Sequence, residues 1–219
     1  ANICVYTRPG EDTPLGSCGR AAPEYDVRII DAEGRDCPPG EAGEFVVRPK
    51  YPNTLMAGYY GMAEKSLEAF RQLWFHSGDK GTWDENGYFF FLDRMKDAIR
   101  RRGENISSFE VERILNLHDG VAESAAIAVK AEDGEDEVKA VVVPSPGADL
   151  SAEALLDYCV EAMPYFMVPR YIEFKPDLPR TPTQKVRKIE LREEGITPET
   201  WDREKAGIRV TRHGVEKTA

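Results

Sequence analysis

Four short stretches of this chain place charged side chains where they can do chemistry. His76-Ser-Gly-Asp79 follows the aromatic pair Trp74-Phe75 and sets an aspartate beside a glycine. A carboxylate next to so permissive a backbone position can stand at a loop apex and accept hydrogen bonds from the vicinal hydroxyls of a sugar. His76 reads as a positional residue rather than a base. Asp93-Arg94-Met95-Lys96-Asp97 alternates charge in a way that suits neither a buried strand nor a continuous helix. Arg94 supplies a guanidinium with five fixed donors, suited to ribose oxygens or phosphate. Arg100-Arg-Arg102-Gly103 is a basic run closed by a glycine. In Leu178-Pro-Arg-Thr-Pro-Thr-Gln-Lys185 two prolines stiffen an exposed loop and hold it out of helix and strand, as a tip presenting one reactive side chain requires. Taken singly, each stretch also has a plain reading: a surface turn, a junction between domains, a solvated basic edge, a linker.

The surrounding elements must hold these groups in place. From Ala1 to about Leu92 the chain is short β-like runs cut by Gly and Pro. Asp26–Ile30 alternates as a half-buried strand should, Glu44–Arg48 is a second strand, and Gly87–Leu92 is a third, after the Asp84-Glu-Asn-Gly87 turn. Met62–Phe70 is a short helical segment. That spacing predicts a small β-barrel or sandwich. Beyond the Asp93–Asp97 segment the pattern becomes helices alternating with strands. Ser107 or Ser108 can cap a helix over Phe109–Leu117 whose apolar positions include Val111, Ile114 and Leu115. Strands follow at Ala122–Lys130 and Glu137–Pro144, joined by the acidic loop AEDGEDE, read as a solvated turn. Asp149-Leu-Ser151 caps another helix, which Pro164 ends, and Arg170–Phe174 is a short strand. This predicts an α+β domain with helices on a small sheet. The residues beyond about Ile208 read as a polar, disordered tail.

Composition narrows the function classes. Hydrophobic residues make up 41% and charged residues 31% of the 219, ordinary for a globular protein that buries a core. A formal net charge of −10 disfavours non-specific nucleic-acid binding. No apolar run approaches the roughly 20 residues of a membrane helix, and the start has neither a signal peptide nor an initiator Met. The four cysteines, Cys4, Cys18, Cys37 and Cys159, show no C-x-x-C spacing and no pairing with His. They read as free thiols in a reducing cytoplasm, and no metal ligands are expected.

The wording of Asp93–Glu112 is more specific than its composition. R-x-K-D, a short basic run, G-E-N-I and then E-V-E resembles the hinge segment of the adenylate-forming enzymes. These are the acyl-CoA synthetases, the luciferases and the adenylation domains of peptide synthetases. His76-Ser-Gly-Asp79 precedes it by the interval at which that family places its T/S-G-D motif, and the Lys185 loop resembles the family's P-x-T-x-x-G-K signature. The resemblance implies an α+β fold: a β-barrel-like subdomain (1–93) completing a large N-terminal domain, then a small α+β lid domain (94–208) joined by a hinge, and a polar tail (209–219). Asp79 and Arg94 are then ligands of the ATP or AMP ribose, and Lys96 is the hinge. Gly103 lines the passage for the pantetheine of coenzyme A, with Arg100 as a weaker candidate on the coenzyme A side. Lys185 enters the active site during adenylation. Gln184 stands where the family has glycine, which is expected to cost the loop conformations that need positive φ.

Two family motifs do not occur: a Ser/Thr/Gly-rich phosphate loop ending in Lys, and the aromatic-Gly-x-Thr-Glu motif. The chain is therefore expected to be the C-terminal portion of a longer enzyme, with Mg2+ and most of the acyl pocket held elsewhere, and to be inactive alone. The parent is expected to be an ATP-dependent carboxylate–CoA ligase acting on a small carboxylate. GENISSFEVE, GEDEVKAVVV and PYFMVPRYIEF look most like crotonobetaine/carnitine-CoA ligases. The rival readings are a peptide-synthetase adenylation domain, which delivers its acyl group to a carrier protein, and a module that binds a ligand or partner and catalyses nothing. The oligomeric state is not legible.

Overall fold

The computed structural model describes residues 3–131, 134–212 and 214–217. The chain forms two compact units, Ala1–Lys96 and Asp97–Ala219. Glu132 and Asp133, in the acidic loop, lie outside the described residues, as do Ala1 and Asn2 at the start.

The first unit contains β1 (Val5–Tyr6), β2 (Arg20–Ala21), β3 (Tyr25–Ile30), β4 (Gly43–Pro49), α1 (Ala63–Ala69), β5 (Phe70–Arg71), β6 (Trp74–Trp83) and β7 (Phe89–Arg94). β1 pairs with β2, and the other strands form one antiparallel, β-barrel-like sheet organised on β6. β4 runs along one edge of β6, and β5 then β7 along the other. Strand alternation puts Tyr25 and Ile29 of β3 and Phe45 and Val47 of β4 on one face, where Tyr25, Val47 and Phe75 cluster with Ala22, and Ile29, Phe45 and Phe89 with Cys37. β6 is the main departure from the sequence expectation. Its His-Ser-Gly-Asp-Lys run lacks apolar alternation and reads as a turn, yet it lies within a ten-residue strand.

The second unit contains β8 (Ile99–Arg101), β9 (Glu104–Ile106), α2 (Ser108–Leu115), β10 (Val121–Lys130), β11 (Asp136–Pro144), α3 (Ala152–Ala162), β12 (Tyr171–Phe174), α4 (Lys188–Glu194), β13 (Trp201–Asp202), β14 (Ile208–Thr211) and β15 (Gly214–Lys217). Its main sheet has the order β10-β11-β12-β13. β11 and β12 are parallel, so the chain between them must cross over the sheet, and α3 lies in that connection. Both helix starts follow from capping hydroxyls: Ser107 accepts the Glu110 amide and Ser151 the Ala154 amide, supplying oxygens to otherwise unpaired helix donors.

Helices cover both faces of the sheet, which is why β10 and β11 read as nearly continuous apolar runs. Val111, Leu115, Leu155, Leu156 and Cys159 pack with Ala126, Val138, Ala140 and Val142 on one face. Leu191 of α4 packs with Ile127, Val129, Val141 and Tyr171 on the other. Truncating Leu155 or Leu156 to alanine is expected to cost roughly 2–5 kcal/mol.

Two expectations for this unit change. Of the residues expected to form a tail, those at 208–211 and 214–217 are paired as two antiparallel strands, with Ile208 opposite Lys217 and Val210 opposite Val215, while His213, Thr218 and Ala219 lie outside the described residues. Ile208 and Val210 pack on the main core, which supplies the apolar contact a free polar tail lacks. Glu137, which opens the expected strand Glu137–Pro144 and also closes the acidic stretch read as solvated, is buried and paired to Arg101 at 2.6 Å.

Candidate nucleotide and lysine-loop sites

Asp79 is presented by an irregularity in the β4–β6 ladder. Glu44 pairs with Lys80 and Val46 with His76, so Phe45 alone opposes Ser77, Gly78 and Asp79. The extra residues bulge out of the strand. Gly78 has φ +71 with open space around a hypothetical Cβ, so glycine is required there by conformation rather than by room. Gly81 is required for room: a Cβ there would lie 1.9 Å from the Phe45 ring. Asp79 is thus not at a loop apex but in mid-strand, lifted by the bulge.

The bulge is tied down by side chains. Ser77 Oγ donates to the Phe45 carbonyl at 2.8 Å and accepts the Asp79 amide at 3.0 Å. The Gly78 amide donates to Glu44 Oε1 at 3.1 Å, and the Met95 amide donates to the Gly78 carbonyl at 2.8 Å. On the other edge Asp79 pairs in register with Arg94, their side chains 2.9 Å apart. Arg94 also donates to the Ser77 carbonyl at 3.1 Å. The Asp79 side chain is 31% exposed and that of Arg94 53%. The pair therefore offers acceptor oxygens and guanidinium donors to solvent, a set that fits a vicinal diol. A cavity of about 460 Å³ in the same unit is lined by Glu44, Arg71, His76 and Lys80 but not by Asp79 or Arg94.

Lys96 is exposed, in a turn, and is the last residue of the first unit. In the second unit Arg100 and Gly103 lie on the β8–β9 hairpin. Arg101 pairs with Glu104, leaving Arg102 and Gly103 as a two-residue turn with φ of +49 and +87. Positive φ at both central residues marks a type I′ turn, whose twist matches the strands it joins. Arg102 adopts it without being glycine.

The three arginines separate by environment. Arg101 turns inward to Glu137 and donates to the Phe166 carbonyl at 2.8 Å. Burial holds its guanidinium below the usual arginine range, an effect that the Glu137 carboxylate opposes. Arg102 reaches Glu137 at 3.4 Å, and Arg100 is exposed opposite Asn105.

The Lys185 loop is a tight turn. The Gln184 amide donates to the Thr181 carbonyl at 2.9 Å, and the Thr181 amide to the Lys185 carbonyl at 2.8 Å. Pro182 sits at the second turn position, which its fixed φ suits, and Gln184 follows in the left-handed region at φ +64. This corrects the expectation for Gln184: glutamine takes the positive φ, and the turn's hydrogen bonds hold it there. The feet of the loop are anchored. Arg180 pairs with Glu123 of β10, and Lys188 meets Glu112 of α2 at 2.7 Å and Ser108 Oγ at 2.8 Å. Lys185 itself is exposed, and its ammonium meets no partner among the described residues. A single cation on a short, doubly anchored turn can be delivered to an anion without first breaking an ion pair.

Among the described residues no group of three or more His, Cys, Asp or Glu side chains could hold a metal ion. Sequence reasoning missed Glu44, which it placed only in a strand. The signal lay in a carboxylate directly opposite a Gly-containing polar run, and that register is not visible before the strands pair.

Comparison with known proteins agrees on one family. The model described as "AMP-binding enzyme" matches residues 1–60 and the one described as "AMP-binding enzyme C-terminal domain" matches residues 110–185. The crotonobetaine/carnitine–CoA ligase of Salmonella heidelberg (strain SL476) is 34% identical over 189 residues, covering 86% of this chain and 37% of that protein. The fatty acid–[acyl-carrier-protein] ligase ScoC of Streptomyces coeruleorubidus is 37% identical over 196 residues, covering 88% and 37%. Among solved structures, ATP-bound MatB from Rhodopseudomonas palustris superposes with a TM-score of 0.75 at 35% identity, covering 84% of this chain and 36% of that one. The chain thus spans somewhat over a third of the length of the relatives it matches.

Proposed function

The chain belongs to the AMP-binding, adenylate-forming enzyme family, and on that footing we propose that the intact protein is an ATP-dependent carboxylate–CoA ligase. A carboxylate oxygen attacks the α-phosphorus of ATP, pyrophosphate leaves, and an acyl-adenylate forms. The coenzyme A thiol then loses its proton to solvent and attacks the acyl carbon, and AMP leaves. The 219 residues do not form the adenylate alone.

Asp79 and Arg94 hold the ribose of ATP and then of AMP. Lys185 neutralises charge that gathers between carboxylate and α-phosphate during the first step. Lys96 is the hinge about which the second unit turns between the steps. After that turn Gly103 faces the pantetheine arm, with Arg100 beside the coenzyme A phosphates. The exposure of Arg100 and the inward turn of Arg101 favour that choice. Mg2+ is held by other parts of the protein. The four cysteines, none of them in a disulfide among the described residues, suit a cytoplasmic enzyme.

The observation that carries this reading is the Asp79–Arg94 pair, half exposed and fixed on a bulge. A small carboxylate of the crotonobetaine or carnitine kind is the substrate class supported by the relative at 34% identity. The relative that loads a carrier protein supports a second acceptor. Incubating the intact protein with ATP, a panel of small carboxylates and either coenzyme A or a phosphopantetheinylated carrier protein separates the two. Carboxylate-dependent AMP and acyl-CoA are expected; ADP as the nucleotide product contradicts the reading.

A further inference from the structure

We propose that Glu44 is a positioning residue for the nucleotide, setting the bulge from which Asp79 and Arg94 meet the ribose. The inference rests on the ribose reading given above and adds to it a residue that does not itself touch the nucleotide.

A bulge of this size has an inherent weakness. Where one residue of β4 faces three of β6, backbone groups lose their ladder partners, and an unpaired amide near the interior is costly. The Gly78 amide is such a group, and Glu44 Oε1 accepts it at 3.1 Å. The other oxygen, Oε2, lies 2.8 Å from His76 Nδ1 and 3.5 Å from Arg71 Nη2. The Glu44 side chain is only 15% exposed and that of His76 8%. One carboxylate thus grips β6 at two points, the ring just before the bulge and the amide at its centre. A hydrogen bond to a charged acceptor is stronger and shorter than a neutral one, so the grip is directional as well as adhesive.

The geometry leads directly to the ribose pair. Asp79 follows Gly78, and the Arg94 guanidinium donates to the carbonyl of Ser77, just before it. A shift of the Gly78 peptide therefore moves the Asp79 carboxylate and the oxygen that steadies Arg94 together. Other ties remain if Glu44 is removed: Ser77 Oγ to the Phe45 carbonyl, and the Met95 amide to the Gly78 carbonyl. The strand survives, and what is lost is the setting of the bulge. The expected consequence is a loss of recognition of the ribose hydroxyls, with the rest of the nucleotide bound much as before.

The test compares ATP with 2′,3′-dideoxy-ATP on the intact protein by calorimetry, with thermal melts to show that each variant is folded. The wild type is expected to prefer ATP. Glu44→Ala should shrink that preference about tenfold, the worth of one charge-assisted hydrogen bond, with the affinity for the dideoxy nucleotide little changed. Glu44→Gln, which retains an oxygen for the Gly78 amide, should keep most of the preference. If Glu44→Ala does not fold, Glu44→Asp serves instead: it keeps the charge but draws the oxygen back by one methylene, and should also reduce the preference. An unchanged ATP preference in the folded Ala or Asp variant, or equal weakening of both nucleotides, overturns the proposal. Asp79→Ala is the control. If it abolishes the preference while Glu44→Ala leaves the preference unchanged, the positioning role alone fails. If it leaves the preference intact, the ribose reading fails, and the positioning role with it.

Discussion

Asp79 and Arg94 stand directly opposite each other across β6 and β7, carboxylate to guanidinium at 2.9 Å. Fifteen positions apart in sequence, they are brought together by one hairpin, and the bulge at Ser77–Asp79 keeps them from being an ordinary cross-strand ion pair. A surface pair of this kind contributes little to stability, typically up to about 1 kcal/mol. Its value lies in what it presents.

The first prediction follows from that pair. In the intact protein Asp79→Ala should weaken ATP by on the order of 1.5–3 kcal/mol for each ribose hydrogen bond lost, seen as a raised KM for ATP. The melting temperature should move little, because the pair is exposed. An unchanged KM and adenylation rate would remove Asp79 from the site.

A second prediction concerns backbone strain. The β5–β6 hairpin turns through Gln72 and Leu73 with φ of +52 and +65, and Leu73 is 87% exposed. Left-handed φ costs an L-residue roughly 1–2 kcal/mol, and this solvent-facing leucine gains little packing in return. Replacing the pair by Asn-Gly, the preferred type I′ sequence, should stabilise the first unit by about 1 kcal/mol after the added freedom of glycine in the unfolded chain is offset. Urea denaturation of the 219-residue chain measures it. A lowered midpoint would mean that Gln72 or Leu73 makes contacts worth more than the strain.

The third prediction is a pH dependence in the second unit. Burial pushes the Glu173 carboxyl up, but hydrogen bonds from Lys139 at 2.6 Å, Thr200 and Thr197 outweigh it and leave it at about 2. A carboxyl depressed in the folded state stabilises it above the unfolded pKa, near 4.3, and that contribution is lost as pH falls from there towards 2. Glu173→Gln strands the buried Lys139 ammonium and should cost roughly 3–5 kcal/mol near pH 7. Denaturation midpoints should separate widely at pH 7 and converge in acid. A gap that stays constant between pH 6 and 3 would show that the carboxylate charge is not the stabilising element.

Much of the second unit was legible because its signals are local. Ser107, Ser151 and Pro164 mark helix ends by hydrogen-bond and steric rules that act within four residues, and the apolar runs of β10 and β11 mark a sheet covered on both faces. The parts that escaped depend on partners distant in sequence. β6 looked like a turn because its polar run is stabilised by Glu44 and Phe45, over thirty positions earlier. The burial of Glu137, at the join of the acidic stretch and its strand, was hidden because its partner Arg101 is likewise remote. Gln184 looked like a defect, yet the hydrogen bonds around Thr181 and Lys185 supply what glycine would otherwise make free. The hairpin after Ile208 has too few apolar residues to be seen before the core they rest on is known.

The central claim is that Lys185 acts in only one of two half-reactions, the second unit turning about Lys96 in between. Rapid-quench measurement of each half-reaction in the intact protein tests it most directly. Lys185→Ala should abolish adenylate formation from carboxylate and ATP, yet still convert supplied acyl-adenylate to acyl-CoA at near the wild-type rate. Lys96→Pro should do the reverse, since fixing φ near −65° blocks the turn while leaving Lys185 able to enter. If Lys185→Ala slows both half-reactions equally, the alternation is wrong and Lys185 is a structural residue.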